Sequence, residues 1–268
     1  MASRPSRVPV PALLARLTAD PGRPRLTWYG SGGERIELSG HVLDNWVTKT
    51  VNLLVEEYEA GPGTRVLVDL PAHWRAVVWS LAVWRVGATV VLLEGEDLTV
   101  AAGCDVVVTH RPTAFGQTVH PADLVAVALP ALARAFDGDL PVGATDAAAA
   151  VMTYGDVLTW VPEPDPAADA LVLGGRSVAH QDLLDWAAAG HHPAWAPADT
   201  SGTRSPRLLI EPPDGAGGRT LATVLAAVLS AYGSDGSVVL LAADVVVELA
   251  TDAERRRRLV EGERVTSD

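Results

Sequence analysis

The stretch Gly61–Glu94, GPGTRVLVDLPAHWRAVVWSLAVWRVGATVVLLE, limits the fold more than any other. Arg65–Leu70 is a short apolar run between a Pro-Gly turn and Pro71, which reads as a buried strand. Trp74, Val77, Val78, Leu81 and Ala82 follow the spacing of a helix with one apolar face. Gly87 stands where such a helix would be capped, and Thr89–Leu93 is a second strand. Two strands joined through a covering helix make a parallel, right-handed unit. Its first turn, Asp69-Leu70-Pro71-Ala72-His73, lacks the glycines that let a phosphate approach the backbone.

The rest of the chain repeats the alternation. Pro11–Leu17 reads as a short amphipathic helix. Arg25–Tyr29 and Glu34–Leu38 read as two strands around the glycine turn Gly30–Gly33. Ser39 is placed to cap a helix carrying Leu43, Trp46, Val47, Thr50, Leu54 and Tyr58 on one side. Asp105–Thr109 and Leu124–Leu129 are further strands, the second leading into a short helical stretch to Phe136. Ala170–Leu173 is followed by a turn at Gly174-Gly175-Arg176 and a helix over Ser177–Ala189. Arg207–Glu211, Arg219–Ala231 and Ser237–Leu241 form a second strand–helix–strand unit, and Val245–Val260 a final helix. The expected class is α/β, with mostly parallel sheets flanked by helices. One domain over 1–268 is expected, with lobes 1–161 and 167–268 joined by the Pro-rich link Pro162–Pro166.

Composition excludes several functions. The formal net charge is −12 over 268 residues, which argues against nucleic acid as the partner, because phosphate binding needs clustered cations. No apolar run is long enough to span a bilayer, and the N-terminal segment lacks a signal-peptide core. Cys104 is the only cysteine, so no intrachain disulfide and no multi-cysteine metal site are expected. A cytoplasmic protein is the expectation. Lys49 is the only lysine, and its mid-helix place reads as surface.

The order of these elements resembles the N-terminal part of the AMP-forming adenylating enzymes, the superfamily of acyl-CoA synthetases and peptide-synthetase adenylation domains. Glu34-Arg35-Ile36-Glu37-Leu38-Ser39 looks like its opening "TY-x-EL" element, and Gly61-Pro62-Gly63-Thr64-Arg65-Val66 like its "G-x-x-x-GDRV" lead into the first parallel strand. Arg85-Val86-Gly87-Ala88 looks like its "xAGA" helix end, and Ala102–Thr109 like its "ADVVVT" strand. Asp165–Leu171 looks like the lead into its phosphate loop, and Val178–Leu184 like the "VxxxHxNLL" that follows. Short actinobacterial proteins related to AMP-binding enzymes share this pattern.

The resemblance implies ATP or AMP as the nucleotide, yet the chain departs from it at the phosphate loop. The family has a Ser/Thr/Gly-rich run ending in Pro-Lys-Gly; here only Gly174-Gly175-Arg176 stands between Leu173 and Ser177. Its aromatic-Gly-x-Thr-Glu element and the lysine of its C-terminal domain have no counterpart in this sequence. The expectation is a non-catalytic relative that senses a ligand or binds a partner, with no assigned cofactor and no catalytic residue. The alternative is a ligase-like protein that still holds a nucleotide or acyl ligand and is completed by a partner chain. An uncovered sheet edge would leave room for a protein partner or a second copy of the chain.

Two weak nucleotide sites are candidates. The turn Gly174, Gly175, Arg176, Ser177 would offer backbone N–H groups at a helix start. The loop Asp214–Thr220, with Gly215, Gly217 and Gly218 and with Asp244 beyond the next strand, imitates a dinucleotide fingerprint. The structural reading of each, a tight turn and a loop before a helix, is the simpler one. His191-His192 are adjacent and make no metal face, and His180 reads as structural. Ser201–Ser205 has a phosphate-loop composition but follows its helix. Arg255–Arg258 is flanked by glutamates at helical spacing and reads as a solvated face. Trp74, Trp79 and Trp84 recur every five residues and would spread around their helix, Trp74 toward the core.

Overall fold

A computed structural model describes residues 9–116, 118–120, 123–158, 160–190, 205–212 and 217–266. The expected central unit is present. Strand β3 (Arg65–Asp69) leads through Pro71 into a helix capped by His73. That helix, α3 (Trp74–Arg85), returns through Gly87 to β4 (Thr89–Leu92), which runs parallel to β3. Around this pair grows a seven-stranded sheet. It adds β5 (Val106–Thr109), β6 (Leu124–Ala126) and β7 (Thr145–Asp146) on one side, and β8 (Asp169–Leu173) and β9 (Arg176–Ala179) on the other. Only the β8–β9 pair is antiparallel.

A second sheet has four strands in the order β10-β11-β1-β2. β1 (Pro24–Tyr29) and β2 (Arg35–Ser39) form the expected hairpin, while β10 (Arg207–Ile210) and β11 (Ser237–Leu241) run parallel to β1. The helices are α1 (Val10–Leu17), α2 (Gly40–Tyr58), α4 (Ala147–Val151), α5 (Leu183–Gly190), α6 (Gly218–Gly233), α7 (Ala243–Thr251) and α8 (Ala253–Gly262). Ser39 caps α2 as expected, its hydroxyl accepting from the Val42 N–H at 3.3 Å.

Strand periodicity explains the layers. Val66, Val68, Val90, Leu92, Val106 and Val108 face one core together with Leu208, Ile210, Val238 and Leu240 of the other sheet. The alternate residues Leu67, Val91 and Val107 face a separate cluster closed by Phe115 and Ala101. Leu209, Val239 and Leu241 pack under α7 with Val245 and Leu249. Both faces of the central strands are thus covered, and that is why β3, β4, β5, β10 and β11 are largely apolar rather than alternating. Helix α3 touches β1 of one sheet and β3 and β4 of the other, so it lies between them. Trp74, Trp79 and Trp84 are accordingly all buried, whichever side of the helix they occupy.

Five expectations are corrected. Both sheets take strands from each side of Pro162–Pro166, so the link does not divide the sheets into lobes 1–161 and 167–268. The helix expected from Ser177 starts only at Leu183. Arg176–Ala179 is instead a strand folded back on β8, because Gly174 (φ 57°) and Gly175 (φ 72°) make a two-residue turn that matches hairpin twist. No helix runs to Phe136; that stretch is turns, with the Phe136 N–H held by Asp146 at 2.8 Å. The final helix breaks at Asp252, whose carboxylate accepts the Arg255 N–H at 2.9 Å and starts α8. Lys49 is half-buried and donates to the Tyr154 carbonyl. No described helix is long and apolar enough to cross a membrane.

Candidate functional site

In both sheets the strand ends β1, β3, β6, β10 and β11 open toward one crevice. A cavity of about 440 Å³ lies there, bordered by Trp28 near the end of β1, Gly30 after it, His73 after β3, Leu129 beyond β6 and Ala242 after β11. The start of α6 closes it with Gly217 and Thr220. Ligands of open α/β sheets bind in such crevices outside the carboxyl ends of strands.

His73 is the best-defined group at this cavity. It is 4% exposed, and its Nδ1 accepts the Arg75 N–H at 3.1 Å as the cap of α3. The Trp28 ring meets it edge-on, with centroids 4.5 Å apart. Burial, then the charges of Arg75 and His110, push its pKa down to about 3, so the imidazole is neutral in ordinary buffers. Glu34 bonds the same Trp28. One carboxylate oxygen accepts the Trp28 indole N–H at 3.1 Å, and the other accepts the Ala131 N–H at 2.8 Å.

A second layer fixes these groups. The Arg75 guanidinium lies 4.4 Å from the Trp74 ring centroid and 5.4 Å from that of Trp46. It donates to the carbonyls of Pro130 and Ala131, both at 3.3 Å. Burial pulls its pKa down to about 10, which leaves it charged at neutral pH. One side chain thus ties α3 to the loop whose Ala131 amide grips Glu34.

The sequence candidates scatter around this crevice. Gly174 and Arg176 border a different cavity of about 620 Å³, with Glu94, Trp186 and Arg219. There Arg219 pairs with Glu94, and Arg176 is exposed. Gly175 and Ser177 lie outside both cavities, in the hairpin turn and its return strand. The turn leads into the return strand β9, so no helix start stands directly behind these four residues. Gly215 lies outside the described residues, as do His191, His192 and most of Ser201–Ser205.

Gly217 does border the cavity beside His73, while Gly218 serves packing. A Cβ on Gly218 would stand 2.8 Å from Leu92 Cβ and 2.9 Å from Leu93 N, and would also strike the Leu93 carbonyl. Gly218→Ala is therefore expected to destabilise by about 1–3 kcal/mol, although alanine favours a helix by about 1 kcal/mol. Urea unfolding measures this, and an unchanged midpoint would contradict it.

Asp244 starts α7 and binds the Ser31 hydroxyl rather than opening toward a cofactor. His180 is half-buried and its pKa is lowered, chiefly by burial. Within α8, Arg257 pairs at the expected helical spacing with Glu254 and Glu261, whereas Arg255 pairs with Glu248 of α7 and Arg256 with Glu211 just beyond β10. Among the described residues no group of three His, Cys, Asp or Glu side chains is placed to hold a metal ion.

Sequence reasoning missed Trp28, Glu34 and His73. The signal for His73 was its position, directly after the first parallel strand. That turn was tested for glycines and found wanting, whereas its imidazole was not considered.

No family model matches the chain. A Mycobacterium tuberculosis protein described as a TIGR03089 family protein is 40% identical over 174 residues, which are 65% of this chain and 68% of that one. Coronafacic acid ligase of Pectobacterium brasiliense superposes with a TM-score of 0.66 at 11% identity, covering 91% of this chain and 47% of the ligase. An acyl-CoA synthetase of Brucella canis gives 0.65 at 18% identity, with 93% and 47% covered. Acetoacetyl-CoA synthetase of Streptomyces lividans gives 0.64 at 17%, with 87% and 38% covered. The chain spans about half the length, or less, of these solved structures, and at such identities the likeness is one of fold.

Proposed function

We propose, from the premise that this chain belongs to the TIGR03089 family and has the fold of the N-terminal part of adenylating enzymes, that it binds a small ligand and does not itself form adenylates. The observation behind this reading is a contrast between two places. Where the resemblance puts a phosphate loop, the chain makes a two-residue hairpin turn that carries one exposed arginine. Where the strands of both sheets end, it builds a half-open cavity with the fixed groups Trp28, Glu34 and His73. Nucleotidyl transfer needs oriented cations and N–H donors around the transferring phosphate; the turn supplies little of either, and among the described residues the cavity lining has no Lys or Arg. The half-buried thiol of Cys104, pushed up to about pKa 11 mainly by burial, is unreactive and suits the reducing cytoplasm in which we place the protein.

Purified protein is expected to show no acid-dependent ATP–pyrophosphate exchange, and no thermal shift with ATP and magnesium. A ligand bound only by the folded state raises stability by about 2.7 kcal/mol at a hundred-fold excess over its dissociation constant, so binding would register. Measurable exchange would overturn the reading. The alternative, a nucleotide or acyl ligand held beside the hairpin, has Arg176 at the second cavity in its favour. A stabilisation by AMP or a non-hydrolysable acyl-adenylate that Arg176→Ala abolishes would establish that alternative instead.

A further inference from the structure

The tautomer of His73 follows from its role as a cap. Its Nδ1 accepts a backbone N–H, so that nitrogen carries no proton, and in the neutral ring the proton sits on Nε2. His73 borders the cavity and is more than nine-tenths buried. No described residue accepts from its Nε2. The Nε2–H is not sealed off inside the protein and can therefore donate to an acceptor that enters the cavity. The same cavity holds the Glu34 carboxylate, whose oxygens each take one N–H and retain capacity for another donor. Helix α6 begins there at Gly217 with no side-chain cap, adding N–H donors at the same wall.

Charge narrows the ligand. Among the described residues the lining contains Glu34 and no Lys or Arg, and the charged Arg75 behind it is engaged with the Pro130 and Ala131 carbonyls, so a carboxylate or phosphate would bring a second negative charge beside the first without a side-chain cation in direct contact. A cation would suit Glu34 and leave the His73 N–H without an acceptor. We propose that the cavity takes an uncharged amide-type ligand, a lactam or aromatic carboxamide, whose carbonyl oxygen accepts from His73 Nε2–H and whose N–H donates to Glu34. The flanking Pro71, Leu129 and Trp28 cover its apolar body, and about 440 Å³ lies within the usual range for small-molecule sites. This inference rests on the ligand-binding reading above and names the class of ligand.

Three probes of nearly equal shape separate the possibilities: benzamide, benzoate and benzamidine. The side-chain nitrogen resonances of His73 are followed by NMR in the full chain while each is titrated, with calorimetry for affinity. Without ligand, the spectrum is expected to show the Nε2-protonated tautomer. Benzamide is expected to shift Nε2 and to bind at least tenfold more tightly than the other two. His73→Asn, which keeps an acceptor to cap α3, is expected to weaken benzamide at least tenfold. Glu34→Gln is expected to narrow the gap between benzamide and benzoate. Benzoate or benzamidine binding as tightly as benzamide would overturn the uncharged assignment and leave a ligand site in place. If none of the three moves the His73 resonances, both the assignment and the ligand-binding reading of this cavity fail, whereas pyrophosphate exchange alone would strike only the claim that no adenylate is formed.

Discussion

Between pH 6.5 and pH 4 the unfolding free energy of this protein is expected to fall by about 2–3 kcal/mol more than that of a His73→Asn variant. The pKa of His73 is lowered from 6.5 to about 3, first by burial and then by the nearby charges of Arg75 and His110. Below pH 6.5 the unfolded chain therefore takes up a proton that the native state refuses. Stability due to burying the neutral ring is fully present above pH 6.5. It is lost as pH falls, at up to about 1.4 kcal/mol per pH unit, until the native ring protonates near pH 3. The asparagine variant keeps a cap acceptor and has no titrating group there. His180 is also lowered, but it is common to both proteins and cancels in the difference. Urea unfolding at half-unit steps from pH 4 to pH 7 reads the effect. Parallel curves for the two proteins would mean that His73 is solvated in the native state, and the neutral N–H donor would then lose its basis.

Most of the fold was legible because its signals are local. Apolar runs with Pro and Gly boundaries gave β3, β4, β5, β10 and β11, and the serine before α2 marked its start. The failures share a cause as well. Arg176–Ala179 can continue as strand or as helix, and two left-handed glycines before it decide for the strand. The break at Asp252 is set by a side-chain cap within a continuous helical pattern. Helix α4 is five residues long, too short for periodicity to register, and depends on Asp146 accepting from the Ala148 and Ala149 N–H groups.

The candidate site was less legible for a different reason. Trp28 and Glu34 meet within one hairpin, but His73 and Ala131 are distant from them in sequence and join them only because strands of two sheets end at one crevice. Glycine-rich spacing directed attention to phosphate chemistry at Gly174–Ser177 and Asp214–Thr220. In the structure the glycines of the first segment serve a hairpin turn, and Gly218 lets α6 approach β4 closely. A glycine pattern is ambiguous between ligand approach and backbone approach, because both need the same missing side chain.

Replacing Trp84 by alanine is expected to destabilise the protein by about 3–5 kcal/mol, the largest single-residue effect argued for this chain. The indole is fully buried on α3, and its Nε1–H donates to the Ala170 carbonyl at 2.7 Å. Ala170 belongs to β8, which follows the Pro-rich link and pairs with β4. One side chain thus joins the central strand–helix–strand unit to the strand added after the link. Truncation would remove the ring and the hydrogen bond together, beside an existing cavity of about 350 Å³ that Trp84 shares with Pro164, Pro166 and His180. The enlarged space would have little means of collapse, since the prolines resist backbone adjustment. Trp84→Phe separates the two contributions: it retains most of the ring but leaves the Ala170 carbonyl without its donor, at about 1–3 kcal/mol. Urea midpoints for both variants decide between them. If phenylalanine costs as much as alanine, the hydrogen bond across the link governs the attachment of β8; if phenylalanine is nearly neutral, packing volume alone holds it. A small loss for alanine itself would contradict the placement of Trp84 at the junction.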